Sequence, residues 1–435
     1  MSPTDHGVRR VMVLARGASA LRLSRSVQEA GLEAVVLLAP HDGVAAWSEQ
    51  ADFAVAVQGS HRSWPDPARC VEAAIDAGCD AVLPAWDGLA RDAELANTCV
   101  RSGLKWLGVP RDLLAFVRDR ARVREQAEQL GLPVVPGVGP MVDVDLCEAW
   151  AASVGFPLAL KSSRGRRPLI VVEDAEELRV AFQGLSEHGP VLVERYVLQA
   201  REIEVPIVGD GEETVVAVGT RDVLARVGQA RRVFIGPAGG LPPGVEGQLM
   251  GMAVAMAASL GWRGVGAVQF LLTSDGRPYL LDVRPGLSAG DSVTERIYGV
   301  DLVDAALRLG QGQRLGWGDE EVGADGTAVA VRLLASGAGP SLPRLGPGPF
   351  APEVRLAAGS GDAVRAGDEL GEVLVHSAGR QSALVKAQRV LSELDLGPVR
   401  ACLPGLRRML SDQRLWQGRL WREDAASLVG DDPEG

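Results

Sequence analysis

The chain has 435 residues, 46% of them hydrophobic and 23% charged, with a net charge of −11. That length gives two or three domains with a large core, and the composition excludes general disorder. The acidic balance excludes a broad basic surface for nucleic acid or anionic membrane, and no apolar run approaches the ~20 residues of a transmembrane helix.

The first six residues show no basic-then-apolar layout, so no signal peptide is read and a cytoplasmic protein is expected. Five cysteines, Cys70, Cys79, Cys99, Cys147 and Cys402, form no CxxC pair and read as buried or free thiols. Five histidines never fall at i, i+4, which argues against zinc. Only Lys105, Lys161 and Lys386 are lysine among 45 basic residues. Where arginine is so favoured, a retained lysine is a candidate for a special role, although a plain surface lysine satisfies the same count.

In chain order, 11–15 reads as a buried strand. Gly17 then opens a helix with Leu23, Val27 and Ala30 on one face, stopped at Gly31. Further strands are expected at 34–38, 53–57 and 80–84. Strands alternating with helices imply a parallel, doubly wound sheet. A helical stretch follows over 111–130, then a break at Pro133, Pro136 and Pro140. A small α/β unit holds strands at 157–161, 170–172 and 191–194 and a basic loop at 162–168. A hairpin joins 267–272 to 279–283 through Ser274-Asp275-Gly276. Glycine and proline crowd 337–352, which reads as a long exposed loop. The division is therefore 1–110, a body at 111–318 with a lid at about 134–207, a third unit at 319–429, and a disordered tail at 430–435. No P-loop and no heptad run occurs.

Three places suit nucleotide chemistry. Lys161 ends an apolar strand beside a flexible basic loop, a position from which it can meet phosphate oxygens; an edge lysine laying its stem on apolar surface is the plainer reading. Glu194 ends another strand and can accept from an adenine amino group, or simply face water. The hairpin offers Asp282 opposite Gln269. Paired acidic groups at such a place hold magnesium, but Gln269 is neutral and Arg284, two residues on, is a cation.

These pieces, taken in order, resemble the biotin carboxylases. The stretch from Ala15-Arg16-Gly17 to Leu21-Arg22 is similar to RGEIALR. Arg118-Asp119-Arg120 stands where the family has Gly-Asp-Lys, and 157–161 where it has the strand ending in the ATP lysine. Glu194-Arg195-Tyr196 and 201–204 resemble EKY and RHVE. Val293-Thr294-Glu295 with Gly299-Val300-Asp301-Leu302 resembles VTE…TGVDL, and 326–332 resembles GHAVECR. The resemblance implies an α/β, biotin-carboxylase-like ATP-grasp fold: an N-terminal doubly wound domain, a two-part body and a C-terminal α/β lobe. It implies ATP held by Arg120, Lys161, Glu194, Tyr196 and Glu204, metal at Asp282 and Gln269, and Arg231 and Arg332 as residual catalytic candidates.

The departures bear on activity. The family's NxRxQVEH signature supplies a bicarbonate and biotin arginine and a glutamate base. Here it reads Arg284-Pro285-Gly286-Leu287-Ser288-Ala289-Gly290-Asp291, with glycine at both places. RDC reads Arg221-Asp222-Val223, HQK reads Gln229-Ala230-Arg231, and the lid is two residues shorter and carries Arg164, Arg166 and Arg167. A positioned base is worth ~10²–10⁴ in rate and an electrostatic stabiliser ~10²–10³. Asp291 is one residue from the lost base, which displaces a carboxylate by ~3 Å or more. The expectation is a catalytically impaired homologue, a nucleotide-binding, scaffolding or regulatory subunit of an acyl-CoA carboxylase system. ATP is expected with magnesium dependence weakened or absent. Biotin carboxylase or other carboxylase subunits are the expected partners, and homodimer formation fits the resemblance. The alternative is an active ATP-dependent ligase, either a biotin carboxylase or a ligase with a changed acceptor. No biotinyl-lysine motif occurs, so no covalent biotin is expected; the late Lys386 falls in a helical stretch.

Overall fold

The computed structural model describes residues 7–38, 46–57, 66–85, 88–164, 169–212, 214–227, 230–318, 323–335, 369–395 and 403–429, with short strand pieces at 339–340, 344–345, 353–356 and 363–364. The loop expected at 337–352 falls mostly outside these residues, and the tail at 430–435 wholly so.

The chain begins as a parallel five-stranded sheet in the order Phe53–Ala56, Glu33–Leu38, Arg10–Leu14, Ala81–Pro84, Lys105–Trp106. Its central strands, apart from Arg10 at the start of the first, are apolar and buried because helices cover both faces. The first helix runs Gly17–Glu29 and buries Leu23 and Val27. Ala30 is exposed as its C-cap instead of sharing that face, and Gly31 follows at φ +75°. The helical stretch expected at 111–130 is two helices, Arg111–Val117 and Arg120–Gln129. Asp119 separates them, since its carboxylate accepts from the Ala121 amide and caps the second.

The small unit is a four-stranded antiparallel sheet in the order Gly137–Met141, Val191–Arg195, Leu158–Ser162, Ile170–Val172. Helices Val144–Val154 and Ala175–Ser186 cover one face with Cys147, Leu178 and Phe182. The large sheet orders Pro278–Pro285, Arg263–Thr273, Ala200–Asp210, Arg221–Val227, Ala230–Gly236, Thr327–Leu334, Glu369–Ser377 and Glu353–Leu356, with Val215–Ala217 paired onto Ala200–Asp210. This one sheet therefore crosses residue 318 through the pairing of 233–236 with 328–331. Lys386 lies in helix Arg380–Glu393, where its ammonium donates to the His376 carbonyl. Cys70, Cys79, Cys99 and Cys147 are buried free thiols, and burial pushes the first three up to about 12. Among the described residues no helix is long and apolar enough to cross a membrane.

Candidate functional site

Register decides which side chains meet. Antiparallel pairing sets Arg221 opposite Glu204, Glu204 opposite Gln269, and Gln269 opposite Asp282. Direct cross-strand partners share a face, so four adjacent strands present one row. Glu204 is fully buried, and a buried carboxylate must be paired. The Arg221 guanidinium, 1% exposed, donates from Nε to Glu204 Oε2 at 2.9 Å and from Nη1 to Asp291 Oδ1 at 2.8 Å. It also reaches the hydroxyls of Thr294 at 3.1 Å and Ser288 at 2.9 Å. Burial opposes its charge, but Glu204 and Asp291 outweigh burial and hold the pKa above the ordinary arginine value. Next in the row, Gln269 Nε2 donates to Glu204 Oε1 at 2.8 Å and Glu202 Oε1 at 3.0 Å. Arg284 Nε stands 4.0 Å from Glu204 Oε1. Asp282 Oδ1 accepts from the Val283 amide at 2.9 Å.

This network closes one of the two glycine places, and backbone conformation restricts the other. A Cβ on Gly290 would stand 2.7 Å from Phe234 Cδ1 and 2.8 Å from Arg221 Cζ. Any side chain there must displace a buried ring and a buried guanidinium. Gly286 has φ +82°, in the left-handed region where an L side chain is strained. Asp291 does not stand free as a substitute base. It is 3% exposed, and its carboxylate accepts from Arg221, from the Ser288 amide at 2.6 Å and from the Ser288 hydroxyl at 3.1 Å.

The lid strands bring Lys161 and Glu194 into direct contact, with Nζ 2.5 Å from Oε2. They are one ion pair, not opposite walls of a cleft. Arg124 adds a second cation, 3.3 Å from Glu194 Oε1, and donates to the Val135 carbonyl at 2.7 Å. Arg120 Nη1 donates to the Ser162 carbonyl at 3.1 Å, one residue from Lys161. Arg164 Nε meets Asp119 Oδ2 at 3.0 Å, which fastens the start of the basic loop to the helix of Arg120. Arg166 and Arg167 lie outside the described residues. Tyr196 is turned elsewhere: Arg422 stacks on its ring at 4.1 Å and donates to the Val197 carbonyl at 2.7 Å. Burial, ahead of its other neighbours, raises the phenol pKa. Glu204 likewise belongs to the Arg221 row.

Arg332 pairs with Glu369 at 2.7 Å, on strands that continue the large sheet. Beside it lies a cavity of about 50 Å³ lined by Arg22, Ser288, Ser292 and Glu372 among others. That is room for a few waters, well short of the ~300 Å³ at which small-molecule sites begin. Arg231 lies on strand Ala230–Gly236, register-paired with Arg226, and its side chain falls outside the described residues. Sequence reasoning missed Glu202, Arg124 and the role of Arg221. Arg221 and Glu204 carry opposite charge on strands that reading could not pair, so only the register reveals them. Among the described residues no three His, Cys, Asp or Glu side chains gather as a metal-ligand set.

The family described as biotin carboxylase, N-terminal domain, matches residues 7–114, and that described as carbamoyl-phosphate synthase L chain, ATP binding domain, matches 119–317. The biotin-dependent acyl-coenzyme A carboxylase alpha3 subunit of Mycobacterium leprae is 28% identical over 94% of this chain and 72% of its own length. Pyruvate carboxylases match as well, but the chain spans only 38% of the one from Aspergillus terreus. The biotin carboxylase domain of a single-chain bacterial carboxylase superposes with a TM-score of 0.86 at 29% identity, covering 97% of this chain and 99% of that one. The corresponding domain dimer of Hydrogenobacter thermophilus 2-oxoglutarate carboxylase, solved with MgADP, ADP and bicarbonate, gives 0.90 at 23% identity over 98% and 99%. Two family matches in order over most of the chain, and a fold shared along nearly its whole length, lead to one conclusion: the chain carries a biotin carboxylase N-terminal domain followed by an ATP-grasp domain and is a homologue of biotin carboxylase subunits.

Proposed function

We propose that this homologue has lost biotin carboxylation and serves an acyl-CoA carboxylase system as a nucleotide-binding, scaffolding or regulatory subunit. One observation carries the reading: the Arg221 guanidinium stands where a side chain at position 290 would have to go, and it takes Asp291 as its partner. A base at 290 does not fit without rebuilding this network, and an arginine at 286 would have to adopt the left-handed backbone that glycine takes there. A biotin-dependent ATPase assay tests it. No turnover above background is expected, and turnover comparable to an active biotin carboxylase would overturn it.

In this reading nucleotide binds through Arg120, Lys161 and Glu194, with Lys161 leaving Glu194 for a phosphate oxygen. Tyr196 and Glu204 are held by other partners and act only through the backbone they fix. The row at Gln269 and Asp282 suits magnesium poorly, because Glu202 and Glu204 are engaged by an amide and a guanidinium. Arg284 and Arg164 supply positive charge near the phosphates, without a metal's geometry. Calorimetry is expected to give an ATP affinity that changes less than about tenfold when Mg²⁺ is removed. Lys161→Met is expected to weaken it at least tenfold, the scale of ~1.4 kcal/mol for a lost charge-assisted contact. Strict Mg²⁺ dependence would count against this.

The units 1–110, 111–318 and 319–429 are the proposed division. The proposed partners are biotin carboxylase or other carboxylase subunits, or a second copy of the chain. Support comes from the carboxylase alpha subunit it resembles and from a structural relative solved as a dimer. Co-purification from the native host is expected to recover such a subunit; a lone monomer would remove this part.

A further inference from the structure

A second cavity, of about 570 Å³, lies where the edge of the N-terminal sheet meets the start of strand Arg263–Thr273 and the end of helix Leu302–Gly310. Its volume is that of a small-molecule site. Arg263 is six residues along the strand from Gln269, roughly 20 Å away at the rise of an extended chain, so the cavity is separate from the row described above. The charges on its wall have one sign. Lys105, Arg111 and Arg263 line it, and no aspartate or glutamate does. In a chain of net charge −11 that is a local positive well. It also holds one of only three lysines in the sequence.

Neither of the two arginine contacts at this wall cancels its charge. Arg263 Nη2 donates to the Leu309 carbonyl at 2.9 Å, which uses one of five guanidinium donors. Arg111 meets Glu94 only at 3.8 Å, with both side chains more than half exposed, a pair worth little. The rest of the wall is largely apolar. Leu104, Trp106 and Leu309 form its floor, and Val100, 63% exposed, stands at its rim. Glycines form part of its lining: Gly103 and Gly312 adopt φ +82°, and a Cβ on Gly108 or Gly310 would stand within 2.7 Å of packed neighbours.

We propose that this cavity binds a small organic anion with an apolar body, its carboxylate or phosphate head on Lys105, Arg111 and Arg263 and its hydrocarbon or aryl part on Trp106 and Leu104. The proposal is independent of the nucleotide reading.

Calorimetry on the full chain with sodium octanoate, octyl phosphate and neutral n-octanol tests it. At least one anion is expected to bind one to one, at least tenfold tighter than n-octanol. Preference for octanoate assigns a carboxylate ligand, and preference for octyl phosphate assigns a phosphate ester. The double variant Lys105→Met, Arg111→Gln is expected to lose at least tenfold in anion affinity while titrating ATP as the parent does. Should it fail to fold, Val100→Trp narrows the mouth from an exposed rim position and must also weaken the anion. Absence of binding by both anions in the millimolar range, affinity equal to that of n-octanol, or unchanged affinity in the folded variant would overturn the proposal.

Discussion

A fully buried guanidinium persists only while the carboxylates around it stay charged and bonded. Arg221 meets that condition through Glu204 and Asp291, with Ser288 and Thr294 taking further donors. Arg221→Met keeps much of the stem but leaves two buried carboxylates without their cation. Urea unfolding is expected to show a loss of about 3–5 kcal/mol, the usual result of breaking a buried pair from one side. A loss under about 1 kcal/mol would mean that water or another cation already serves these carboxylates. Gly290→Glu puts back the residue type that the family uses as base. Here it forces Phe234 and Arg221 aside, so about 1–3 kcal/mol of destabilisation is expected with no gain of biotin-dependent ATPase. A stable, active Gly290→Glu protein would show that the Arg221 network yields easily and that the base alone was missing.

At the scale of elements, the hairpin was readable and its neighbours were not. Apolar runs on either side of Ser274-Asp275-Gly276 specify two local strands, and Arg263–Thr273 and Pro278–Pro285 form there. The same local pattern predicted Asp282 opposite Gln269, as the register has it. Strand Ala200–Asp210 comes from about sixty residues earlier, and no local signal fixes how it slides against Arg263–Thr273. A slip of one residue would turn Glu202 and Glu204 to the other face. Their contact with Gln269 therefore waits for the structure. It also sets a test. Gln269→Glu places a third carboxylate within hydrogen-bonding distance of two others and removes the amide donor that reconciles them. Without metal the variant is expected to lose about 1–3 kcal/mol, as buried donors and acceptors lose their partners. Added Mg²⁺ is expected to raise its melting temperature by several degrees, consistent with ligand-linked stabilisation of a few kcal/mol, while leaving the parent unmoved. Equal Mg²⁺ shifts in both proteins would show that Gln269 is no obstacle to the ion.

At the scale of the whole molecule, sequence spacing separates the chain near residue 318, whereas hydrogen bonding runs across that point. Thr327–Leu334 pairs on one side with Ala230–Gly236 and on the other with Glu369–Ser377. The core beneath is shared in the same way: Val233 and Ile235 pack in one cluster with Val329, Val331, Val373 and Leu384. Buried Arg201 and Asp222 extend the joint, since Arg380 reaches Asp222 at 3.2 Å and Arg201 bonds the Gly418 carbonyl. Burial lowers the Arg380 pKa and outweighs the Asp222 charge, which raises it, so this cation depends on that single carboxylate from the body. A chain ended at Gly318 would expose the edge of Ala230–Gly236 and the apolar face under it, and would leave Asp222 buried beside one arginine instead of two. An exposed, apolar edge strand pairs with other chains. The shortened protein is expected to aggregate or to keep far-ultraviolet dichroism while losing the near-ultraviolet signal of packed aromatic side chains. Co-expression with residues 319–435 as a separate chain should restore that signal if the sheet alone joins the two parts. A shortened protein that unfolds cooperatively, with native near-ultraviolet dichroism, would show that the body and the C-terminal lobe are independent folding units despite the strand between them.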